Sequence, residues 1–451
     1  MSVSGACAPG PSTITSVRPS PSSLPAVPAP TFRLVLLLGV LVALGPFTID
    51  MYLPALPVIG PDLESNAAAV QLTLTGTLVG IAVGQLVIGP LSDALGRRRP
   101  LVAGVAVHVA ASLLCVVAPS VTVLGVLRGF QGFGAAAASV IGLAVVRDLF
   151  SGRAAAALFS RLMLVIGASP VLAPTIGGEV LRWSTWRGVF AVLAVLGTAV
   201  LVAAARALPE TLPPHRRRDV GVTRSLRTYS ALLRDRAFAG LALLGGLVMA
   251  ALFGYVSGST FVFQDHYGLS QQEFALVFGS GAVALIGATQ LTARLLRRWA
   301  PRQILVAGLV ISTASGALLV AVTAIGVGGL PTVLVLLWAV LAGQGLIFPT
   351  IPALAMARYG ATAGSAAALL GAAQMGVAAL AAPVVGLLGT DALAMSVTVA
   401  GAMLAGGSVL ALIVGPRRLA ELDAVAEAAE TAGTAPTGGT AGTSARVRTA
   451  S

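Results

Sequence analysis

Twelve long apolar stretches constrain the fold of this chain more than any other feature of its sequence. About 20 apolar residues cross the core of a bilayer as a helix, and these continuous runs lack the alternation of a membrane β-barrel. Only 10% of the residues are charged, against about 25% in a typical soluble domain. The sequence therefore predicts an all-α integral membrane protein. We predict spans 1 to 12 at residues 33–57, 67–91, 100–118, 121–147, 156–180, 186–206, 238–263, 272–295, 303–325, 331–357, 362–388 and 392–414.

The basic residues, all of them arginine, indicate the orientation of the chain. They cluster in alternate loops, as in Arg97–Arg99 after span 2 and Arg216–Arg218 after span 6, whereas Asp62 and Glu273 belong to the opposite loops. Such a bias marks the cytoplasmic side. We therefore predict a multi-pass protein of the plasma membrane with both termini in the cytoplasm. The net charge of +12 reflects this topology and does not indicate a nucleic-acid partner.

An internal repeat predicts that the twelve helices form two six-helix bundles. The segment "LSDALGRRRP" (91–100) has a counterpart in "LTARLLRRWA" (291–300), and Gln131-Gly132 has one in Gln344-Gly345. Transporters built from such repeats bind their substrate near the midplane, between the halves. The predicted parts are a disordered tail at 1–30, an N-terminal bundle at 31–206, a linker at 207–236, a C-terminal bundle at 237–415 and a disordered tail at 416–451.

Five motifs resemble those of the major facilitator superfamily, over residues 33–414. They are "GPLSDALGRRRP" (89–100) between spans 2 and 3, "LRGFQGFGAAAASV" (127–140) in span 4, "GASPVLAPTIGG" (167–178) in span 5, "TIDMYLPALP" (48–57) in span 1 and "GLSQQEFALVFG" (268–279) before span 8. The last two most resemble the bicyclomycin and chloramphenicol resistance branch of drug:proton antiporters. The resemblance implies the major facilitator fold and proton-coupled efflux of drug-like molecules by alternating access.

The motif between spans 2 and 3 supplies candidate gating residues, namely Gly89, Asp93, Gly96, Arg97 and Arg98. The resemblance implies that Asp93 faces the start of span 11 when the cytoplasmic side closes, where a carboxylate near a helix N-terminus is favourable. Arg98 can equally serve only as a topology anchor.

The antiporter motif of span 5 consists of Gly167, Pro170, Pro174, Gly177 and Gly178. Their spacing of three and four residues places them on one face of the helix. Prolines bend a helix, and glycines allow another helix to approach closely. The pattern indicates a tight packing seam, and the resemblance adds a bend that seals the path against ion leak.

Asp50 and Arg128 are the candidate proton-coupling pair. Asp50 lies four residues after Pro46 and four before Pro54, so all three share a face of span 1. Prolines loosen the backbone, which a membrane tolerates only where the helix faces protein or water, and this predicts that Asp50 points into a central cavity. Desolvation and a nearby cation move a carboxyl pKa in opposite directions, so such a site can load and release a proton. The alternatives are a structural acceptor at Asp50 and an arginine that packs on a backbone carbonyl.

The predicted substrate contacts are aromatic and amide side chains of spans 1, 4, 7 and 10. We expect no cofactor and no metal, and partners limited to a small molecule, protons and lipid around a monomer. A specific metabolite carrier, as exporter or symporter, remains the alternative to a drug exporter. A non-transporting sensor is disfavoured because no soluble domain is added, and an enzyme because no nucleophile–base pair appears. The predicted cavity residues are Tyr52, Gln131, Phe253, Tyr255, Gln344 and Phe348.

Overall fold

The computed structural model describes residues 32–150, 152–217, 222–359 and 362–434. Within these ranges it is all-helical, and 12 helices are long and apolar enough to span a membrane. The predicted fold class is confirmed, and the span ends are close to those expected except that span 1 extends to Asp62 and not 57, and span 12 to Val425 and not 414. The predicted tail at 1–30 lies outside the described residues. The spans are Phe32–Asp62, Ala67–Leu95, Arg98–Val116, Val121–Leu149, Ala157–Trp183, Trp186–Ala207, Arg236–His266, Gln271–Leu295, Pro301–Ile325, Gly329–Met356, Ala363–Leu388 and Ala392–Val425.

Span 1 is not one continuous helix. An α-helix at Phe32–Asp50 ends at the candidate acid, a short 3₁₀ helix follows at Leu53–Ala55, and a second α-helix covers Leu56–Asp62. The sequence explains the break, because Pro54 has no N–H to donate to the carbonyl of the residue four positions earlier, which is Asp50. The break therefore ends the first helix in the middle of the span.

The two six-span halves touch each other through spans 2 and 11 and through spans 5 and 8. The Thr75 hydroxyl of span 2 donates to the Ala379 carbonyl of span 11 over 2.9 Å. The Gln272 amide of span 8 donates to the Gly178 carbonyl of span 5 over 3.3 Å. Since successive spans run in opposite directions, both bonds lie on the membrane side away from Phe32, which we call the far side. The halves are thus in contact on the far side.

The C-terminal region differs from its prediction. A tail disordered from residue 416 was expected, but Gly415–Thr434 forms a helix, while 435–451 lie outside the described residues. Alanine and glutamate favour helices, and Leu419 and Leu422 are buried against the bundle. An ion pair between Arg302 and Asp423, 3.3 Å long, joins this helix to the start of span 9. The linker also contains a helix, at Val222–Arg234.

Candidate functional site

A cavity of about 310 Å³ lies between the two halves, near the middle of the spans. Its wall is mainly apolar, with a carboxylate, an amide, a serine hydroxyl and a phenol as the polar groups. Spans 1, 2, 4 and 5 of the first half and spans 7, 8, 10 and 11 of the second all contribute. The lining side chains used below are those of Asp50, Gln85, Ser139, Pro170, Phe253, Tyr255 and Phe278.

Asp50 lies on the cavity wall, at the last residue of the first helix of span 1. Its exposed fraction is 8%, and no described residue donates a hydrogen bond to its carboxylate or pairs with it. A buried carboxylate without a partner is costly as an anion, so it is suited to bind a proton or a cationic group. The structure places the side chain where the sequence predicted it, and its role in coupling remains a prediction.

The antiporter motif of span 5 packs against the break that follows Asp50. A β-carbon on Gly177 would lie 2.1 Å from the Met51 carbonyl oxygen, so only glycine allows the two backbones to come this close. Pro170, two helical turns earlier, lines the cavity, and Pro174 lies between them within the same helix.

The same motif also contacts the second half. Gly167 faces Ile286 of span 8, with a β-carbon distance of 3.6 Å, and Gly178 faces the Gln271 carbonyl at 3.3 Å. Span 5 therefore lies between span 8 of the second half and the helix break that follows Asp50. A movement of span 8 would displace span 5 against this break.

Arg128 is fully buried and is bonded to the backbone of span 1, not to the Asp50 carboxylate. Its Nη1 donates to the Thr48 carbonyl and to Gln131 Oε1, each over 2.8 Å. Its guanidinium carbon lies 4.4 Å from the centroid of the Tyr52 ring, a cation–π contact. Since Thr48 belongs to the last turn of the helix that Asp50 ends, the guanidinium neutralises the negative end of that helix.

A chain of buried hydrogen bonds fixes the orientation of Arg128. Gln131 Nε2 donates to the Ser112 hydroxyl over 2.8 Å, and this hydroxyl donates to the His108 carbonyl over 2.7 Å. The His108 ring donates from Nδ1 to the Gln131 carbonyl over 3.1 Å. His108 therefore has the structural role of joining spans 3 and 4.

Only some of the predicted cavity residues reach the cavity. Phe253 and Tyr255 line it, and Tyr255 stacks on Phe278 with ring centroids 5.5 Å apart. The other four are absent from its wall, which corrects their assignment. Tyr52 and Gln131 surround Arg128, Gln344 donates to Met403 Sδ of span 12, and Phe348 packs against the core.

Gln85 of span 2 and Ser139 of span 4 line the cavity and were missed from the sequence. A β-carbon on Gly371 of span 11 would lie 2.5 Å from Gln85 Oε1, so the amide reaches across to the second half. The available signal was that Gln85 is one of only two amide side chains in this apolar span, with Gln71.

The candidate gating residues form a charged network on the side of the termini. Arg97 pairs with Asp93 at 2.5 Å and with Asp148 of span 4 at 2.8 Å. The Asp93 side chain remains 41% exposed, and Arg97, not the start of span 11, is the partner the structure gives it. Gly89 lies one turn before Asp93 and accepts a bond from Ser92.

Glu210, which follows span 6, accepts hydrogen bonds from the backbone of this motif. Its carboxylate accepts from the N–H groups of Arg97 and Arg98 over 2.8 and 3.3 Å. Gly96 has a φ of +89°, and a β-carbon there would lie within 2.4 Å of Glu210. Burial raises the pKa of Glu210, but the N–H donors of Leu212, Arg97 and Arg98 outweigh it, so the pKa lies below its usual value.

Twelve apolar helices in the described part of the chain, arranged around a central cavity, are typical of membrane transporters for small molecules. The family model described as "Major Facilitator Superfamily" matches residues 36–383. The chain therefore belongs to the major facilitator superfamily, whose members are transporters and not enzymes.

Several relatives bear on the branch of this family that the chain resembles. An "Uncharacterized MFS-type transporter YdgK" of Bacillus subtilis is 38% identical over 80% of this chain and 90% of that protein. A "Bicyclomycin resistance protein homolog" of Haemophilus influenzae is 30% identical over 78% and 88%. A "Chloramphenicol resistance protein" of Pseudomonas aeruginosa is 34% identical over 64% and 68%. The suspected resemblance to the bicyclomycin and chloramphenicol resistance type is thus confirmed.

Among solved structures, the chain is similar to a "D-xylose-proton symporter". The TM-score is 0.67 at 14% identity, covering 83% of this chain and 97% of the other. At this identity the likeness concerns the fold alone.

Proposed function

We propose that this chain exports drug-like small molecules across the plasma membrane in exchange for protons, by alternating access. In this proposal it acts as a monomer with both termini in the cytoplasm, so that the far side is the outer side. The observation that carries the proposal is the position of Asp50, an unpaired carboxylate on the wall of an apolar cavity between two halves. The names of the relatives, which include resistance to bicyclomycin and chloramphenicol, support the choice of substrate class.

The cavity favours a molecule with a large apolar surface and few polar groups. A space of about 310 Å³ is at the lower end of the range for drug-sized ligands. The stacked rings of Tyr255 and Phe278 offer a flat apolar surface, and the Gln85 amide and the Ser139 hydroxyl offer hydrogen bonds. Such a wall selects by shape and lipophilicity, which suits export of varied compounds better than recognition of one sugar or amino acid.

Asp50 supplies the coupling in this mechanism. When the cavity faces the cytoplasm, Asp50 releases its proton to that side and the deprotonated site admits substrate. The anion without substrate is expensive to enclose in an apolar wall. When the cavity faces outward, a proton from outside neutralises Asp50 and the substrate leaves. The neutral carboxyl is then the cheaper form to carry back through the closed intermediate, so the return step transports the proton.

Arg128 acts on this step as a positioning residue. It holds the Thr48 carbonyl at the end of the first helix and thereby fixes the last turn, which carries Asp50. On the other side of the break, Gly177 of span 5 packs closely against the Met51 backbone and restrains the same turn. If span 5 moves relative to span 8, the packing around Asp50 therefore changes.

The proposal is tested with purified protein in proteoliposomes that contain a pH-sensitive dye. Candidate compounds come from a resistance profile in an efflux-deficient host. We expect substrate-dependent proton movement and uphill export for the parent and for the control Asp62→Asn, whose acid pairs with Arg187 at the far side. Asp50→Asn should lose both activities and remain folded, because a neutral amide is easier to bury than a charge.

Two outcomes would contradict the proposal. Uphill export by Asp50→Asn at the rate of the parent would assign Asp50 a structural role. No change of tolerance to any compound, together with proton movement driven by a metabolite, would favour a metabolite carrier instead.

A further inference from the structure

A stripe of polar side chains runs along span 7 from the cavity towards the far side. Ser257, Thr260 and Gln264 follow Phe253 at intervals of four, three and four residues, so the four share one helical face. Phe253 lines the cavity. The stripe therefore continues the cavity wall into the part of the protein that is closed in this structure.

Polar atoms of this stripe are enclosed without hydrogen-bond partners among the described residues, although Gln264 as a whole is half-buried. Ser257 Oγ, Thr260 Oγ1 and Gln264 Nε2 are all enclosed, and no described residue bonds to them. On span 2, Gln71 is fully buried, and neither its Oε1 nor its Nε2 has a hydrogen-bond partner among the described residues. Buried polar groups in proteins are nearly always paired, so four such side chains in one region need an explanation.

Gln71 lies where the halves close on each other, and the polar face of span 7 continues from the cavity wall towards this contact. Gln71 Oε1 would be 3.2 Å from a β-carbon on Gly386 of span 11, and the far part of span 7 packs against the Leu53–Ala55 and Leu56–Asp62 segments of span 1. The cross-half bond between Thr75 and Ala379 lies one turn from Gln71. Contact between the halves therefore removes these groups from water.

We infer that Gln71, Ser257, Thr260 and Gln264 line the outer release path, which is closed here and opens to water when the halves separate on the far side. Resting on the proposed function, this assigns the path two tasks. It conducts water and protons from outside to Asp50, and it offers hydrogen bonds to polar substrate groups on their way out. Because the four side chains lack partners only while the path is closed, they also favour its opening.

Substitutions of these side chains should change the balance between the closed and the outward-open state. Replacing an unpaired group by an apolar one of similar shape relieves the closed state and leaves the hydrated open state little changed. The outward-open fraction should then fall by about fivefold or more for each group replaced. Thr75→Val should act in the opposite direction, because it removes a bond that exists only in the closed state.

The experiment measures distances by double electron–electron resonance in full-length protein in lipid nanodiscs. Spin labels at Ser184 and Val327, exposed sites in far-side loops of the two halves, report the opening in a background lacking Cys7 and Cys115. The test variants are Thr260→Val and Gln71→Met, with Ser257→Ala in reserve should either misfold. The control is Thr350→Val, whose buried hydroxyl already donates to the Ile347 carbonyl over 2.7 Å.

We expect a smaller outward-open fraction in both test variants, a larger one in Thr75→Val and the parent value in Thr350→Val. Test variants that match the control, or that open further, would overturn the inference. Export by the parent is measured separately in proteoliposomes. A parent that exports nothing would defeat the proposed function, whereas an exporting parent with unaltered distances in Thr260→Val would defeat only the inference.

Discussion

Replacing Gly177 with alanine should disturb the position of Asp50 from the neighbouring span. A β-carbon there would lie 2.1 Å from the Met51 carbonyl oxygen, and ordinary contact begins near 3.4 Å. Spans 1 and 5 would have to separate by about 1.3 Å. Overpacking typically costs about 1–3 kcal/mol, which exceeds the gain of about 1 kcal/mol in helix propensity. The variant should therefore be less stable and should hold the Asp50 turn in an altered position.

Two glycines of the same motif provide matched controls. A β-carbon on Gly178 would meet the Gln271 carbonyl at 3.3 Å, a few tenths of an ångström too close at most, and one on Gly167 would meet Ile286 at an ordinary 3.6 Å. The apparent melting temperature in detergent and the export rate in proteoliposomes should be lowest for Gly177→Ala, intermediate for Gly178→Ala and highest for Gly167→Ala. The last variant should keep its export and an unchanged or higher melting temperature.

The reasoning would be refuted if Gly177→Ala exported and melted like Gly167→Ala. That result would mean that the two spans separate at no cost, so the close contact with Met51 would not position Asp50. Equal loss in all three variants would point to helix flexibility and not to the contact.

Three further predictions test separate parts of the structure. Arg128→Met loses two charge-assisted hydrogen bonds but also relieves a buried cation of desolvation, and the two effects are each a few kcal/mol. Its melting temperature should therefore stay near that of the parent while coupled export falls. Glu210→Gln should destabilise the protein at neutral pH. Because the folded-state pKa of Glu210 is lowered, its stabilisation is complete above the usual value of 4.5 and is lost as the pH falls below it, so the two melting curves should converge in acid. Reporter fusions after Arg99 and Arg298 should report the cytoplasm and one at Gly268 the outside, and an outside signal at Arg99 would contradict the orientation.

The sequence by itself determined the number, the approximate positions and the helical nature of the spans. Length and continuous apolarity suffice for this, because a helix is the form that satisfies its own backbone hydrogen bonds in lipid. The sequence also indicated a loosened backbone around the prolines of span 1, without predicting the break itself, and it drew attention to Asp50 as an acid in an apolar run. The helix at Gly415–Thr434 was missed because its alanine- and glutamate-rich composition resembles that of a disordered tail.

Only the tertiary structure decided which way each span faces. In a soluble protein the apolar stripe of a helix identifies its buried side, but in a membrane the lipid-facing side is apolar as well. The rotation of spans 4 and 10 could therefore not be read from the sequence, and Gln131 and Gln344 turned out to lie away from the cavity while Gln85 lines it. For the same reason the partner of Arg128 was open between a carboxylate and a carbonyl. The packing of span 4 against span 1 settled it in favour of the Thr48 carbonyl.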